Sequence, residues 1–368
     1  MADLRVLVVT PDYPPQLGGI QVLVHRVVRH APSMEARVVT LDSRGARRFD
    51  AEQGLDVCRV PPRRGNRQAS ILTLNGRALG EARRYRPDIV LSAHIITSPG
   101  AVAIRHMLGI PMVQYFHAKE VGAKPALARF AATQADASIV VSRYTRELAA
   151  RSGARAERLH RISPGVDLPD AQGRPADGPP TILTIARLED RYKGHDVVMR
   201  ALPLIRSRVP DVRWVIVGEG PLRSGLQRLA RAQGVADSVN FTGPLPDDER
   251  DAWLAQAHVF TMPSRLPAGG FAGEGFGIVY LEANARGVPV VAGNVGGAVD
   301  AVEHERTGLL VDPTDHLAVA DAIGGLLADP SRAAELGRNG AERAQAFAWP
   351  RVAERVEALL RQVAGQPA

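Results

Sequence analysis

The chain has 368 residues, 45% hydrophobic and 23% charged, which is enough apolar material for two cores and ordinary for a globular protein. No run approaches the roughly 18 consecutive apolar residues of a membrane span, and a single cysteine, Cys58, excludes an internal disulfide. The formal net charge of +7 is unevenly spread: residues 1–168 carry 25 Arg or Lys against 14 Asp or Glu, and residues 169–368 carry 21 against 25.

Met1–Arg5 runs straight into the apolar Leu4–Thr10, with no leader pattern, so a cytoplasmic, reducing compartment is expected. Helical periodicity follows over Gln21–Arg29. Strands are expected at Arg37–Leu41, Val57–Val60, Asp88–Leu91, Met112–Tyr115 and Ala137–Val141. An arginine cluster (Arg59, Arg63, Arg64, Arg67, Arg77, Arg83, Arg84, Arg86) falls in this half. It suits anionic lipid, nucleic acid or a phosphorylated substrate, and equally an ordinary solvated surface. Asp167–Pro180, with four prolines and two glycines, reads as a linker. Strands then resume at Thr181–Ile185, Val212–Val217, Ser238–Phe241, His258–Met262, Val288–Ala292 and Gly308–Val311, with helices such as Pro221–Gln233 and Leu317–Leu327. Phe347–Gln362 is an amphipathic helix with no strand after it. Continuous apolar strands separated by helices form parallel sheets covered on both faces. The expected fold is therefore α/β: two Rossmann-like, doubly wound parallel-sheet domains, 1–168 and 169–346, facing a central cleft, with 347–368 as a C-terminal helix. Ligands of such sheets bind outside the carboxyl ends of the strands.

Four features carry chemistry. Gly18-Gly19, after the first strand and before a helix, lets backbone N–H groups approach an anion; a tight turn would use the same residues. Arg187, with Lys193 six residues on, places two cations after the strand Thr181–Ile185, which suits a diphosphate whose charge grows as it leaves, or a pair of surface cations. The strongest signal is Glu274-Gly275-Phe276-Gly277-Ile278-Val279-Tyr280-Leu281-Glu282, preceded by Pro267-Ala268-Gly269-Gly270. A helix from Gly277 would offer the N–H groups of Gly277 and Ile278 to phosphate, with Glu274 and Glu282 accepting from sugar and ribose hydroxyls. His117, with Glu120, follows Met112–Tyr115 and can bond a substrate hydroxyl or support a developing charge, although a lone histidine is more often structural. Val217-Gly218-Glu219-Gly220 lacks the later glycine and acid of a nicotinamide fingerprint, and no Asp-x-Asp or His/Cys cluster has metal-ligand spacing, so metal-independent, non-redox chemistry is expected.

Taken in order, Gly18-Gly19, Arg187 with Lys193, and the Glu274–Glu282 box resemble the retaining glycosyltransferases of the GT-B fold, glycosyltransferase family 4 type. Pro14–Gln21, Val141–Thr145, Ser163–Asp167 and Glu274–Ala283 look closest to the actinobacterial phosphatidylinositol mannoside mannosyltransferases, although Arg187 and Lys193 stand six apart where that subgroup has five. The resemblance implies a nucleotide-diphosphate sugar donor, GDP- or UDP-linked, with no separate cofactor and no metal. The acceptor is then a lipid or small-molecule hydroxyl, with no nucleic acid partner. It also implies a peripheral contact of the basic domain with anionic lipid at the inner face of the plasma membrane. Gly18 and Gly19 would approach the donor phosphates, and Arg187 and Lys193 would neutralise the leaving diphosphate. Glu274 would hold sugar hydroxyls, helped by the backbone at Phe276 and Gly277. Ile278 would offer its N–H to phosphate and Glu282 would grip the ribose. His117 would contact the sugar, and the turn Phe241–Leu245, at Leu245 in particular, would meet the base. A sugar-nucleotide epimerase, or a catalytically silent binding subunit, are the other readings.

Overall fold

The computed structural model describes residues 3–16, 18–170, 177–267 and 273–366. Leu17, the Ala268–Gly270 part of the glycine loop and the middle of the expected linker lie outside the described residues. The chain forms two compact units, Met1–Gly165 with Trp349–Ala368, and Val166–Ala348.

The first unit is built on β1 (Leu4–Val9), β2 (Met34–Leu41), β3 (Asp56–Val60), β4 (Ile89–Ser92), β5 (Met112–Phe116), β6 (Ala137–Val140) and β7 (Leu159–Arg161). They pair in parallel in the order β3-β2-β1-β4-β5-β6-β7. The chain winds outward one way from β1 and the other way from β4, so the crevice between β1 and β4 is this unit's topological switch point. Valine and leucine stiffen the strands and fill both faces. Leu7 and Val9 pack with Leu74, Ala78, Ile104 and their neighbours, while Val6 and Val8, on the opposite face by strand alternation, are equally buried. β7 is not legible in the sequence, since Leu-His-Arg is too short and too polar to carry a period; its pairing with β6 makes it a strand. The final helix is Trp349–Ala364, starting two residues later than expected because Gln345–Phe347 is a 3-10 turn. It packs on the helix Gly19–His30. Glu357 accepts from the Ser33 N–H at 3.2 Å and Arg361 donates to the Ser33 carbonyl at 2.8 Å, so the two charged side chains bridge back to one residue near the start of the chain.

The second unit contains β8 (Thr181–Ile185), β9 (Arg213–Val217), β10 (Val239–Gly243), β11 (Val259–Met262), β12 (Val290–Gly293) and β13 (Gly308–Val311), parallel in the order β10-β9-β8-β11-β12-β13. Its switch point lies between β8 and β11. The core is centred on Trp214, whose indole donates to Thr184 Oγ1 at 3.0 Å; that hydroxyl donates on to the Thr261 carbonyl at 2.6 Å. The unit's first and last residues run side by side: the Val166 N–H donates to the Phe347 carbonyl at 2.8 Å, and Val166 pairs in parallel with Ala348.

His195 opens the helix His195–Arg208 and is 3% exposed, and among the described residues neither ring nitrogen has a hydrogen-bond partner. Burial, with Lys193 nearby, depresses its pKa from 6.5 to about 4. The folded state therefore keeps this ring neutral while the unfolded chain takes up a proton below pH 6.5, so stability falls with pH between those two values. On this basis His195→Leu should abolish an acid-side loss of about 2 kcal/mol between pH 7 and pH 5. Urea unfolding of both proteins at the two pH values measures this; equal pH sensitivity would show that His195 is solvated.

Candidate active site

In the second unit the loops leaving β8 and β11 bring two of the expected residues, Lys193 and Glu274, together. Arg187 stands just beyond β8, largely exposed, 3.5 Å from Glu189. Lys193 ends the 3-10 turn Arg191–Lys193 and pairs with Glu274, 81 residues away in sequence. Both are largely covered, at 18% and 14% side-chain exposure. Burying either charge alone would cost several kcal/mol. Burial by itself would depress Lys193, but Glu274 and the neighbouring Tyr192 hold its pKa above the ordinary value, so it stays cationic. The turn is held against β11: the Arg265 N–H donates to the Tyr192 carbonyl at 2.8 Å, and Arg265 bridges to Asp196 at 3.0 Å.

The helix after Glu274 runs Ile278–Ala285 behind Gly277, with no side-chain cap and no acid in its first turn. Its leading N–H groups are thus available to an anion. Gly277 has φ 88°, and Tyr280 fills the space where a Cβ would stand. Phe276 is buried, its ring 6.2 Å from Phe347. The Glu274–Gly277 segment is seated on the turn after β12. The Gly297 N–H donates to the Glu274 carbonyl at 2.8 Å, and a Cβ on Gly297 would stand 2.0 Å from the Gly275 carbonyl oxygen.

Glu282 lies in the same helix, partly covered. Burial raises its pKa, and Arg250 and Arg286 oppose that. Those arginines are committed to Asp251, at 3.0 and 2.6 Å, so among the described residues the Glu282 carboxylate has no ion pair. Leu245 follows the edge strand β10 and is partly exposed. At that end of the sheet, Arg223 pairs with Glu219 and donates to the Phe241 carbonyl at 3.1 Å. The Val217–Gly220 glycines have their own purpose: Gly218 lies against the Ala186 carbonyl, where a Cβ would come within 2.1 Å, so the loops after β8 and β9 touch backbone to backbone.

In the first unit, Gly18 and Gly19 open the helix Gly19–His30, which has neither a side-chain cap nor an acid in its first turn. Gly18 is extended, with φ 160°, so its use lies in close approach rather than in a special dihedral. The loop before it is pinned by Arg59, which donates to the Pro14 carbonyl at 2.6 Å and to Asp50 at 2.7 Å.

Two expectations need correcting. Arg59 leaves the surface cluster, buried in that ion pair, and Arg77 pairs with Glu81 at 2.8 Å, with Arg84 3.9 Å from the same carboxylate. Arg77 and Arg84 stay exposed beside Glu81, so the exposed cluster loses Arg59 alone. His117 stands beyond β5 as expected but is only 9% exposed. Its ring stacks on Tyr115, and its Nε2–H donates to the Ala93 carbonyl at 3.0 Å. A carbonyl can only accept, so Nδ1 is the ring's acceptor, and burial lowers the pKa further. Nδ1 accepts from the Glu120 backbone N–H, so both ring nitrogens are engaged, and the neutral ring does not supply positive charge.

Sequence reasoning missed His94, just beyond β4. Its Nδ1 lies 2.8 Å from Glu120 Oε2, while Glu120 also accepts from the N–H groups of Ile95 (3.1 Å) and His117 (3.0 Å). The available signal was a polar residue at the carboxyl end of a strand flanking a switch point.

Replacing Gly297 by Ala should lower stability by roughly 1–3 kcal/mol, because the obstacle is backbone. Gly225→Ala, in a helix with open space beside it, should raise stability by roughly 0.5–1 kcal/mol. Urea midpoints of the two variants test the contrast. An unperturbed Gly297→Ala would mean that the two loops part freely.

Comparison with known proteins follows the same division. The model for glycosyl transferases group 1 matches residues 169–343, and that for Glycosyltransferase Family 4 matches 17–169. The chain is 38% identical to the GDP-mannose-dependent alpha-(1-6)-phosphatidylinositol monomannoside mannosyltransferase of Mycolicibacterium smegmatis, over 91% of this chain and 92% of that one. It is 32% identical to the glycogen synthase of Mycobacterium tuberculosis, over 75% and 69%. HepE of Anabaena, solved with UDP and glucose, superposes with a TM-score of 0.83 at 20% identity, covering 98% of this chain and all of that one. Sucrose-phosphate synthase from Thermosynechococcus elongatus gives 0.82 at 22%, covering 98% and 99%. At these identities the solved structures speak to the fold alone.

Proposed function

Because this chain belongs to the glycosyltransferases of the GT-B fold, family 4 type, we propose that it moves a mannosyl residue from GDP-mannose to a hydroxyl of a phosphatidylinositol-mannoside lipid, with retention of configuration. Membership of that family leaves the epimerase and silent-subunit readings without support. The observation that carries the proposal is the Lys193–Glu274 pair beside an uncapped helix N-terminus. The names of the relatives support the donor and the acceptor class.

Each group then has a task. The diphosphate meets Lys193, Arg187 and the N–H groups of Gly277 and Ile278, which supply its counter-charge without a bound metal. Glu274 accepts from hydroxyls of the sugar, Glu282 from the ribose, and the backbone near Leu245 meets the base. Phe276 keeps the Glu274 loop seated. His117, with both ring nitrogens bonded to backbone, has no acceptor nitrogen left for a sugar hydroxyl. The anomeric carbon–phosphate oxygen bond breaks as the acceptor oxygen attacks from the same face. The acceptor's proton passes to the leaving phosphate, which charge stabilisation at Lys193 makes the better leaving group. No carboxylate is required as a covalent nucleophile in this scheme.

A lipid acceptor calls for a surface that meets a bilayer. None of the described helices is long and apolar enough to cross one. Residues 61–68, with Arg63, Arg64 and Arg67, are all exposed, and Leu72 on the following helix is 76% exposed. Anionic headgroups attract such a segment by about 1 kcal/mol per arginine, and we assign it the membrane contact.

Glu274→Ala and Lys193→Ala should each lower kcat/KM for transfer from GDP-mannose by roughly two to three orders of magnitude, the usual loss when one group on a developing charge is removed. Saturating GDP, at about 100 times its Kd, should stabilise the wild type by about 2.7 kcal/mol. UDP and ADP should do less in the same thermal-shift assay. Undiminished transfer by both variants, or no response to any nucleoside diphosphate, would refute these roles.

A further inference from the structure

The loops at the switch point of the seven-stranded sheet hold a second group of charges, and the donor chemistry above uses none of it. Asp12 follows β1, His94 follows β4, and His117 and Glu120 follow β5, on three strands adjacent in the sheet. Glu120 is 6% exposed and fully occupied: Oε1 accepts from the His117 N–H, and Oε2 faces both the Ile95 N–H and His94 Nδ1. At 2.8 Å from a carboxylate oxygen, Nδ1 must carry a proton, since two lone pairs would repel. The Ile96 N–H, 3.1 Å from the same nitrogen, then has no lone pair to meet. The His94 carbonyl accepts from Thr97 Oγ1 at 2.7 Å and from Ser92 Oγ at 3.2 Å, so backbone and ring are both fixed.

The other ring nitrogen, Nε2, has no protein partner among the described residues. A structural histidine in so well-bonded a turn would have both nitrogens engaged, as His117 does. The charged groups facing His94 are Glu120, Asp12 and Arg67, with His117 behind Glu120. Asp12 and Arg67 lie 4.0 Å apart and are both partly or well exposed. With Nδ1–H committed to Glu120, Nε2 is an acceptor in the neutral ring and a donor in the imidazolium, the form that the Glu120 carboxylate favours. To an anion, the carboxyl ends of these strands therefore offer two donors, His94 and Arg67, and one acceptor, Asp12. That combination suits a phosphate ester of a polyol, whose phosphate needs donors and whose hydroxyl needs an acceptor.

We propose that His94 contacts the substrate directly: as an imidazolium held through Nδ1–H by Glu120, it presents Nε2–H as a fixed donor to a phosphate oxygen of the acceptor. The proposal rests on the transferase reading and adds to it a residue and the chemical group it reads. Glu120 is a positioning residue, acting through the ring.

Asparagine and glutamine separate the two nitrogens, because the Asn amide nitrogen falls near the place of Nδ1 and the Gln amide nitrogen near that of Nε2. His94→Asn keeps the bond to Glu120 and removes only the outward donor. It should raise the KM for phosphatidylinositol monomannoside in detergent micelles roughly tenfold, the worth of one charge-assisted hydrogen bond, while the KM for GDP-mannose stays within twofold. His94→Gln should recover part of the acceptor affinity and lose thermal stability. Inorganic phosphate and myo-inositol 1-phosphate, used as inhibitors competing with the acceptor, distinguish the source. Inhibition by both means that the site takes any phosphate, inhibition by the ester alone means that it reads the headgroup, and either should weaken in His94→Asn. An unchanged acceptor KM in His94→Asn, or equal rises for donor and acceptor, overturns the proposal. Should the wild type transfer nothing to this lipid, the transferase assignment fails. The phosphate contact is then read by itself, from the ring 15N shifts of His94 on adding myo-inositol 1-phosphate without donor. Movement that is absent in the Asn variant supports the contact, and unmoved resonances refute it.

Discussion

Lys193 and Glu274 lie on different loops of the six-stranded unit, and their union sets the shape of everything around them. Each alone would be a charge stranded among largely buried neighbours, at a cost of several kcal/mol. Paired, each makes the other's burial tolerable, and the two loops are drawn to one place. The loops can come that close only because glycines stand at the contacts. Gly194, beside Lys193, lies against the Pro263 carbonyl, and Gly297 lies against Gly275. Side chains at either position would push backbone from backbone. A diphosphate arriving here would find positive charge already in place and a carboxylate ready to turn from lysine to hydroxyl. The reorganisation that a flexible surface cation would need has been carried out during folding.

The seven-stranded unit applies the same principle with a different residue at its centre. Glu120 is a buried carboxylate with both oxygens engaged, joining the loops beyond β4 and β5. Burial pushes its pKa up, yet His94 and the two N–H groups outweigh that and hold it below the ordinary carboxylate range. Burial holds the pKa of His117 below its ordinary value against the pull of Glu120, whereas contact with Glu120 raises that of His94. Two rings a few residues from the ends of adjacent strands thus acquire opposite characters from their surroundings.

Much of this could be read from residue order. The continuous valine-rich strands, the glycine turns and the spacing of the Glu274–Glu282 box gave the parallel α/β architecture and the glycosyltransferase family. Composition also located the break near Asp167. Three things were not legible. β7 is defined by its partner rather than by its own three residues. Arg59 reads as one more surface arginine because nothing in sequence shows that Asp50 and the Pro14 carbonyl will surround it. His94 and His117 look alike in sequence, and only their hydrogen bonds tell the structural ring from the one with a free donor. In each case the missing information is a tertiary contact between residues that no local period connects.

The helix Trp349–Ala364 belongs to the first unit, although the whole of the second unit precedes it in the chain. During synthesis, the six-stranded unit is therefore complete while its predecessor still lacks the helix that covers Gly19–His30. The Ser33 carbonyl and N–H must wait for Arg361 and Glu357, more than three hundred residues later. The ribosome thus releases a finished second unit tethered to an unfinished first one. A truncated transcript or a late frameshift would strip cover from the helix Gly19–His30 while leaving the six-stranded unit whole.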